Sequence, residues 1–354
     1  REKWTRMPVN SEPVPWSSYG YYLDSRPSYT LDPLFHSGCY YPQEASSMFL
    51  EQIFKQVIDN RDYLKVLDLC GAPGGKSTHI SSLIGKNGLL VSNEVIKSRA
   101  FTLADNLTKW GLSNCIVTQN DPAAFNRLAD FFDVILVDAP CSGEGMFRDK
   151  VAIEEWSVEN CTMCADRQRR IIMDVWPALK ENGILIYSTC TFNHGENEEN
   201  IKWLMSKHKA ESLALNYKQF TGITEIDFQG VHGYGFYPGR IMGDGLFISV
   251  LRKCSGDDAS DHGDHRPDFQ KLSKEEKRIA CEWSTFHDDS FFKSGEDVFS
   301  APGNMSDFYL ILKNLRIIKY GTRIMTTKGR NNIPSPELAL STCYRKDCIP
   351  TADL

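Results

Sequence analysis

The chain has 354 residues, 41% hydrophobic and 24% charged, the proportions of an ordinary globular protein with room for one large α/β domain and a smaller unit. No uninterrupted apolar run approaches the roughly 20 residues of a membrane span, so no membrane partner is expected. A net charge of −6 excludes indiscriminate coating of nucleic acid but leaves open a local basic face.

The start, Arg1-Glu2-Lys3-Trp4, lacks the apolar stretch of a signal peptide and does not begin with Met, which reads as a trimmed or fragmentary chain. Eleven scattered cysteines without a secretion signal read as free thiols in a reducing cytoplasm.

Residues 1–42, rich in Pro, Ser and Tyr, read as an extended lead-in. From Gln43 to Asn60, Phe49, Ile53, Phe54, Val57 and Ile58 have helical spacing, with Ser46 or Ser47 as the expected cap. Short apolar runs follow at 64–69, 88–93, 114–118, 132–138 and 183–188. Helical patterns separate them at 77–84, 96–110, 121–130 and 163–181. Such alternation predicts a doubly wound, parallel α/β sheet, and Leu246 to Leu251 could add a further strand. An acidic linker at 254–269 closes this domain, which runs over 43–253. Residues 270–354 read as a second unit, with a helix near 273–284, a strand near 307–313, and an acid-free basic run of Lys313, Arg316, Lys319, Arg323, Lys328 and Arg330. With Tyr320 available for stacking, that run suggests contact with an RNA backbone.

The first strand passes into Cys70-Gly71-Ala72-Pro73-Gly74-Gly75-Lys76, where a doubly wound sheet binds nucleotides over glycines and a helix N-terminus. The second strand ends in Glu94, placed for ribose hydroxyls, and the third leads to Asp121, placed for an adenine amino group. A P-loop would need Gly at position 70 ahead of Gly75-Lys76. Cys70 stands there and Gly71 lies one residue too close, so an NTPase is not expected.

The fourth strand ends Asp138-Ala139-Pro140-Cys141-Ser142-Gly143-Glu144-Gly145 and the fifth Ser188-Thr189-Cys190-Thr191-Phe192. Adjacent strand tips put both thiols over one crevice. Carbon 5 of cytosine is a poor nucleophile until a thiolate adds to carbon 6. A second thiol can assist release, and a carboxylate such as Asp138 can hold the amino and N3 edge. Cys161 and Cys164, and Cys343 with Cys348, do not complete a zinc site, so no metal is expected. Trp156, Trp176 and Trp203 sit in apolar helical settings and read as core. The acids Glu196, Glu198 and Glu199 suit a helix N-terminus.

Residues 138–145 and 188–192 resemble motifs IV and VI of the NOL/NOP/Sun family of RNA cytosine-C5 methyltransferases, and 69–76 resembles its cofactor loop. Leu31 to Ser47 is similar to the segment preceding the catalytic domain in the bacterial 16S ribosomal RNA, RsmF-like branch. The resemblance implies a mostly parallel, seven-stranded Rossmann-like S-adenosylmethionine methyltransferase domain with a small C-terminal α+β unit. It implies Cys190 as the covalent nucleophile, Cys141 as the release group, and cofactor contacts from Cys70, Gly71, Ala72, Pro73, Gly74, Gly75, Lys76, Glu94, Asp121 and Asp138. Asp138 would also face the cytosine. Ribosomal RNA, of the small subunit, is the implied partner of a chain taken as a monomer. Gly239-Arg240 and Gly243-Asp244-Gly245 replace the family's His-Arg and Gly-Glu-Gly. The family's upstream ferredoxin-like domain is largely missing, and 270–354 matches the beginning of the C-terminal RNA-binding region. The competing reading is a non-catalytic RNA-binding assembly factor of the same fold. An amino-group methyltransferase would need Pro-Pro and an aromatic residue after the fourth strand, which Asp-Ala-Pro-Cys does not supply.

Overall fold

The computed structural model describes residues 11–25, 27–58, 63–255, 269–287, 290–329 and 331–345. Most of the linker, Arg330 and Cys348 therefore lie outside the described residues. Five strands form the parallel centre: β1 (Lys65–Asp68), β2 (Leu89–Asn93), β3 (Cys115–Thr118), β4 (Phe132–Asp138) and β5 (Leu179–Thr189). Their near-continuous apolar runs are those of strands covered on both faces. Val66, Leu67, Leu90, Val91, Ile116, Ile135 and Leu136 are all buried, each worth about 1.5–3 kcal/mol.

Four more strands extend the sheet beyond β5: β6 (Ala210–Ser212), β7 (Ile223–Phe228), β8 (Val231–Phe236) and β9 (Leu246–Lys253). β9 lies antiparallel to β5, with Phe247 opposite Thr189, and takes the place expected for the Leu246 run. In the next region β10 (Phe291–Ser294), β11 (Asp297–Ser300), β13 (Thr322–Lys328) and β14 (Asn331–Pro334) form a separate four-stranded sheet. Between them β12 (Ile317–Lys319) joins the main sheet antiparallel to β3. The main sheet therefore has ten strands, in the order β12-β3-β2-β1-β4-β5-β9-β8-β7 with β6 beside β9. Seven were expected. The added ones are antiparallel, one of them from the C-terminal region. The strand order reverses between β1 and β4, the switch point where α/β sheets bind ligands.

After a single turn at Pro33–His36, the helices are α1 (Leu50–Val57), α2 (Gly75–Leu83), α3 (Lys97–Trp110), α4 (Lys150–Glu155), α5 (Val158–Val175), α6 (Glu198–Lys207), α7 (Lys274–Trp283), α8 (Met305–Asn314) and α9 (Pro336–Leu340). Side-chain and glycine caps set their ends. Ser157 accepts from Asn160 N to start α5, Ser273 and Glu276 form a capping box on α7, and α3 stops at left-handed Gly111.

Several expectations of local structure fail. The 307–313 segment is helix α8, because Phe308 and Ile311 face one core while Asn304 caps the first turn. Ser46 and Ser47 cap nothing. Both are buried in a 3-10 turn over 46–49, where Ser47 Oγ donates to the Glu44 carbonyl at 2.6 Å. The helix expected over 163–181 starts earlier and yields at Trp176–Ala178 to β5. The C-terminal region shares the main core, since Phe292, Phe308, Ile311 and Leu315 pack with Phe125, Leu128 and Phe131. A smaller cluster around Ile279, Val298, Ile324 and Leu338 is its own.

Candidate active site

At the C-terminal ends of β1, β2 and β3, Asn93 ties three tips together. Its Nδ2 donates to Leu69 O and Asn120 O, at 3.1 and 3.0 Å, and its Oδ1 accepts from Thr118 and from Asn120 N. The glycine-rich loop, residues 70–76, leads from β1 into α2. Gly71 allows no side chain, because a Cβ there would lie 2.8 Å from Ser77 Oγ. Gly74 takes a φ of +120° as it turns the chain into the helix N-terminus. Ala72 is held by Arg99, which donates to its carbonyl at 3.0 Å. Pro73 is exposed and its carbonyl accepts from Asn106 at 2.8 Å. Burial pushes the Cys70 thiol well above its ordinary range, so it stays protonated.

Glu94 is 5% exposed; one carboxylate oxygen accepts from Ile96 N at 3.0 Å and the other lies 3.5 Å from Arg99. Asp121 is exposed and caps the turn Pro122–Leu128 by accepting from Ala123 N. Asp68 is fully buried. Ser77 donates to its Oδ2 at 2.6 Å, while Oδ1 has no hydrogen-bond partner among the described residues. Burial pushes its carboxyl up to about 7. A donor-free carboxylate oxygen beside a glycine turn suits a ligand with a cationic group and hydroxyls, which is what S-adenosylmethionine presents.

Beside this cradle, β4 and β5 run in register with Asp138 opposite Ser188. Ser188 Oγ donates to Asp138 Oδ1 at 2.7 Å, and Lys76 Nζ to Oδ2 at 2.8 Å. Burial lowers the Lys76 ammonium's proton affinity, but Asp138 more than offsets it, and the group ends above its usual range. The Cys141 and Cys190 sulfurs lie 3.0 Å apart. The hydrogen bond from Cys141 draws the Cys190 thiol below its ordinary range against burial, with Lys76 assisting; the same bond drives Cys141 upward. The structure thus brings Cys141, Cys190, Asp138 and Lys76 together. The Asp121 carboxylate is engaged elsewhere, accepting from Ala123 N at 3.1 Å.

Chain packing keeps the two loops in contact. Gly145 N donates to Cys190 O at 2.8 Å, and a Cβ at position 145 would meet Cys190 O at 2.9 Å and Gly245 O at 3.0 Å. Glu144 Oε2 accepts from Phe192 N, and Oε1 from the indole of Trp156. Trp156 is 37% exposed, so it is not core. Its short helix, α4, has no buried residue. Trp176 is buried and Trp203 half-buried.

Glu196 does not open a helix. α6 begins at Glu198, and Glu196 is buried beneath the Cys141 loop. The basic run is also less free than its sequence suggests. Lys319 pairs with Glu337 at 2.9 Å, Arg323 contacts Asp297 and Glu337, and Tyr320 packs against Phe292, Phe299 and Phe308.

The match to known families is as clear as the geometry. The 16S rRNA methyltransferase RsmB/F model covers residues 55–252, and the N-terminal domain of 16S rRNA methyltransferase RsmF covers 1–45. The chain belongs to the 16S rRNA methyltransferase RsmB/F family. Among its relatives, ribosomal RNA small subunit methyltransferase F of Pectobacterium atrosepticum is 40% identical over 68% of this chain and 51% of its own. That of Pectobacterium carotovorum is 38% identical over 69% and 51%. The chain spans about half the length of these curated relatives. A methyltransferase homolog protein from Pyrococcus horikoshii is 30% identical, with a TM-score of 0.58 over 70% of this chain and 79% of that one. NSun6 from the same organism, solved with SFG, is 28% identical, with a TM-score of 0.56 over 65% and 57%. Among the described residues of this RsmB/F member, no helix is long and apolar enough to cross a membrane.

Sequence reasoning missed Asp68, Asn93, Arg99, Glu144, Gln168 and Ser188. Asp68, Asn93 and Ser188 had a usable signal, since each is a polar residue at a strand tip in or beside a motif. The others act through contacts distant in the chain.

Proposed function

We propose that this chain transfers a methyl group from S-adenosylmethionine to carbon 5 of a cytosine in 16S ribosomal RNA, through a covalent bond between Cys190 and carbon 6. One observation carries the reading: two thiols in contact, one disposed to lose its proton and one to keep it, beside a lysine–aspartate pair. S-adenosylmethionine, when bound, supplies a methyl group on a cationic sulfur.

Asp68, the 70–76 loop and Glu94 would hold that cofactor, with Asp121 at its adenine end. The Cys190 thiolate adds to carbon 6 and forms the Cys190–C6 bond, making carbon 5 nucleophilic. Asp138 accepts from the cytosine amino group, with Lys76 and Ser188 fixing both of its oxygens. Once bonding to carbon 6 has removed the Cys190 charge that kept Cys141 a thiol, Cys141 loses its own proton to solvent; after methylation it takes the proton from carbon 5, and the electron pair of the breaking Cys190–C6 bond returns to the Cys190 sulfur. Matches to small-subunit methyltransferases support ribosomal RNA as substrate, and eleven cysteines scattered without a disulfide framework in the sequence suit a reducing cytoplasm.

Labelled-methyl transfer to unmodified 16S ribosomal RNA, free and within 30S subunits, tests the reading. Wild type should place label on carbon 5 of cytosine and Cys190→Ala should place none. Equal labelling by the two, or label on another atom, overturns it.

A further inference from the structure

Both peptide units flanking Cys141 are gripped from below. Gln168 Nε2 donates to the Pro140 carbonyl at 3.0 Å, on one side, and Ser142 N donates to Glu196 Oε2 at 3.0 Å, on the other. The two grips are joined, because Gln168 Nε2 also donates to Glu196 Oε2 at 2.7 Å. Gln168 has no freedom to turn. Its Oε1 accepts from Asn200 at 2.8 Å and lies 3.0 Å from the Tyr187 hydroxyl. The other Glu196 oxygen accepts from Asn193 Nδ2 at 2.7 Å, and Asn193 Oδ1 takes the Glu196 N–H in return.

Glu196 and Gln168 are both 0% exposed, and burying a carboxylate without a cation beside it is costly unless donors surround it. Among the described residues, the hydrogen bonds to the Glu196 carboxylate come from Ser142 N, Gln168 Nε2 and Asn193 Nδ2. A helix cap would not require this burial. Holding the Pro140-Cys141-Ser142 backbone against the Cys190 loop does.

We infer that Glu196, acting with Gln168, is the positioning residue that holds Cys141 in contact with Cys190 for the release step. The inference rests on the covalent reading above. Neither residue touches the reacting atoms. The negative charge of Glu196 also disfavours a Cys141 thiolate, which helps keep the proton on the sulfur that must not compete as nucleophile.

An amide at position 196 would turn an N–H toward at least one of three donors and loosen the bracket, as would a side chain at 168 that cannot donate. The test compares Glu196→Gln, Gln168→Leu and Glu196→Asp with wild type, in single- and multiple-turnover methylation of unmodified 16S ribosomal RNA. Denaturing gels report trapped protein–RNA adduct. The first two variants should lose at least about tenfold more in multiple than in single turnover and accumulate an adduct that a second change, Cys190→Ala, abolishes. Glu196→Asp, which keeps the acceptor, should recover part of the turnover. Equal losses in both regimes with no adduct would make the bracket merely structural and overturn the inference. So would normal turnover by Glu196→Gln. If wild type forms no 5-methylcytosine, the covalent reading itself fails. If Cys141→Ala traps adduct while the bracket variants do not, only the positioning role fails.

Discussion

Cys190 donates its backbone N–H to Cys141 Sγ at 3.2 Å, while the two sulfurs lie 3.0 Å apart. One atom of Cys141 is therefore engaged by both the main chain and the side chain of Cys190. This closeness follows from the parallel register of β4 and β5, which leave the sheet side by side at Asp138 and Ser188.

The pair's asymmetry gives a direct chemical expectation. Thiolate, not thiol, reacts with iodoacetamide, so Cys190 should alkylate ahead of Cys141 at neutral pH. The hydrogen bond from Cys141 is the main cause of Cys190's lowered range, and Lys76 contributes after it. Cys141→Ala should therefore slow Cys190 labelling most, and Lys76→Met should move its pH profile upward to a smaller degree. Peptide mapping by mass spectrometry after short exposures measures both. Faster labelling of Cys141 than of Cys190 would contradict the assignment.

Asp68 makes a pH-dependent contribution whose sign is fixed. The folded cofactor-free chain holds that proton up to about pH 7, whereas the ordinary value is 3.8. Between those limits the folded state binds more protons than the unfolded one, so this group's contribution to stability falls as pH rises and levels off above about 7. The full loss is roughly 2–4 kcal/mol for a wholly buried carboxyl. Urea unfolding of wild type and Asp68→Asn at pH 5 and pH 8 isolates it. The variant should be relatively more stable at the higher pH while losing cofactor affinity. Identical pH slopes for the two proteins would show that Asp68 does not titrate in this window.

Much of this site could be read before the fold was known, because motif chemistry at strand tips is local. The glycine turn at 71–75, Glu94, Asp138, Cys141 and Cys190 each follow an apolar run, and the sheet brings such tips together whatever the details of the helices. What stayed hidden depends on partners distant in sequence. Glu196 looked like a helix-terminal acid because its donors, Ser142 and Gln168, come from a loop and a helix far upstream. Residues 307–313 looked like a strand because an apolar run that short does not distinguish the two periods, and only packing against Phe125 and Leu128 decides it. Trp156 was placed in the core because helical spacing does not show that α4, which it follows, buries none of its residues.

The same limitation bears on the basic run. Lys313, Arg316 and Lys328 are exposed, whereas Lys319 is spent on Glu337 and on the Gly321 carbonyl. Lys313→Glu with Arg316→Glu should weaken RNA binding and lower the slope of log affinity against log salt by about 2, with little change in unfolding. Lys319→Ala should do the reverse, costing roughly 1–3 kcal/mol of stability because it strips a buried partner from Glu337. Filter binding across a salt series, with denaturant unfolding in parallel, separates the effects. An unchanged salt slope in the double variant would remove this face from the RNA contact.

Gly145 offers a sharper test of how the Cys141 and Cys190 loops are joined. A methyl group at its Cα would press on two backbone carbonyl oxygens, those of Cys190 at 2.9 Å and Gly245 at 3.0 Å. Neither is the end of a flexible side chain that could swing aside. Relief requires the Cys141 loop to move away from Cys190, breaking the Gly145 N to Cys190 O bond. Gly145→Ala should therefore cost roughly 1–3 kcal/mol of stability, as overpacking does. It should also slow methyl transfer by about 100-fold, the scale of an ångström-sized misplacement at a reacting centre. Alkylation should report the same displacement, with Cys190 losing its advantage over Cys141 as their hydrogen bond lengthens. A variant that retains both full methyl transfer and preferential labelling of Cys190 would show that the contact between the loops does not control the thiols.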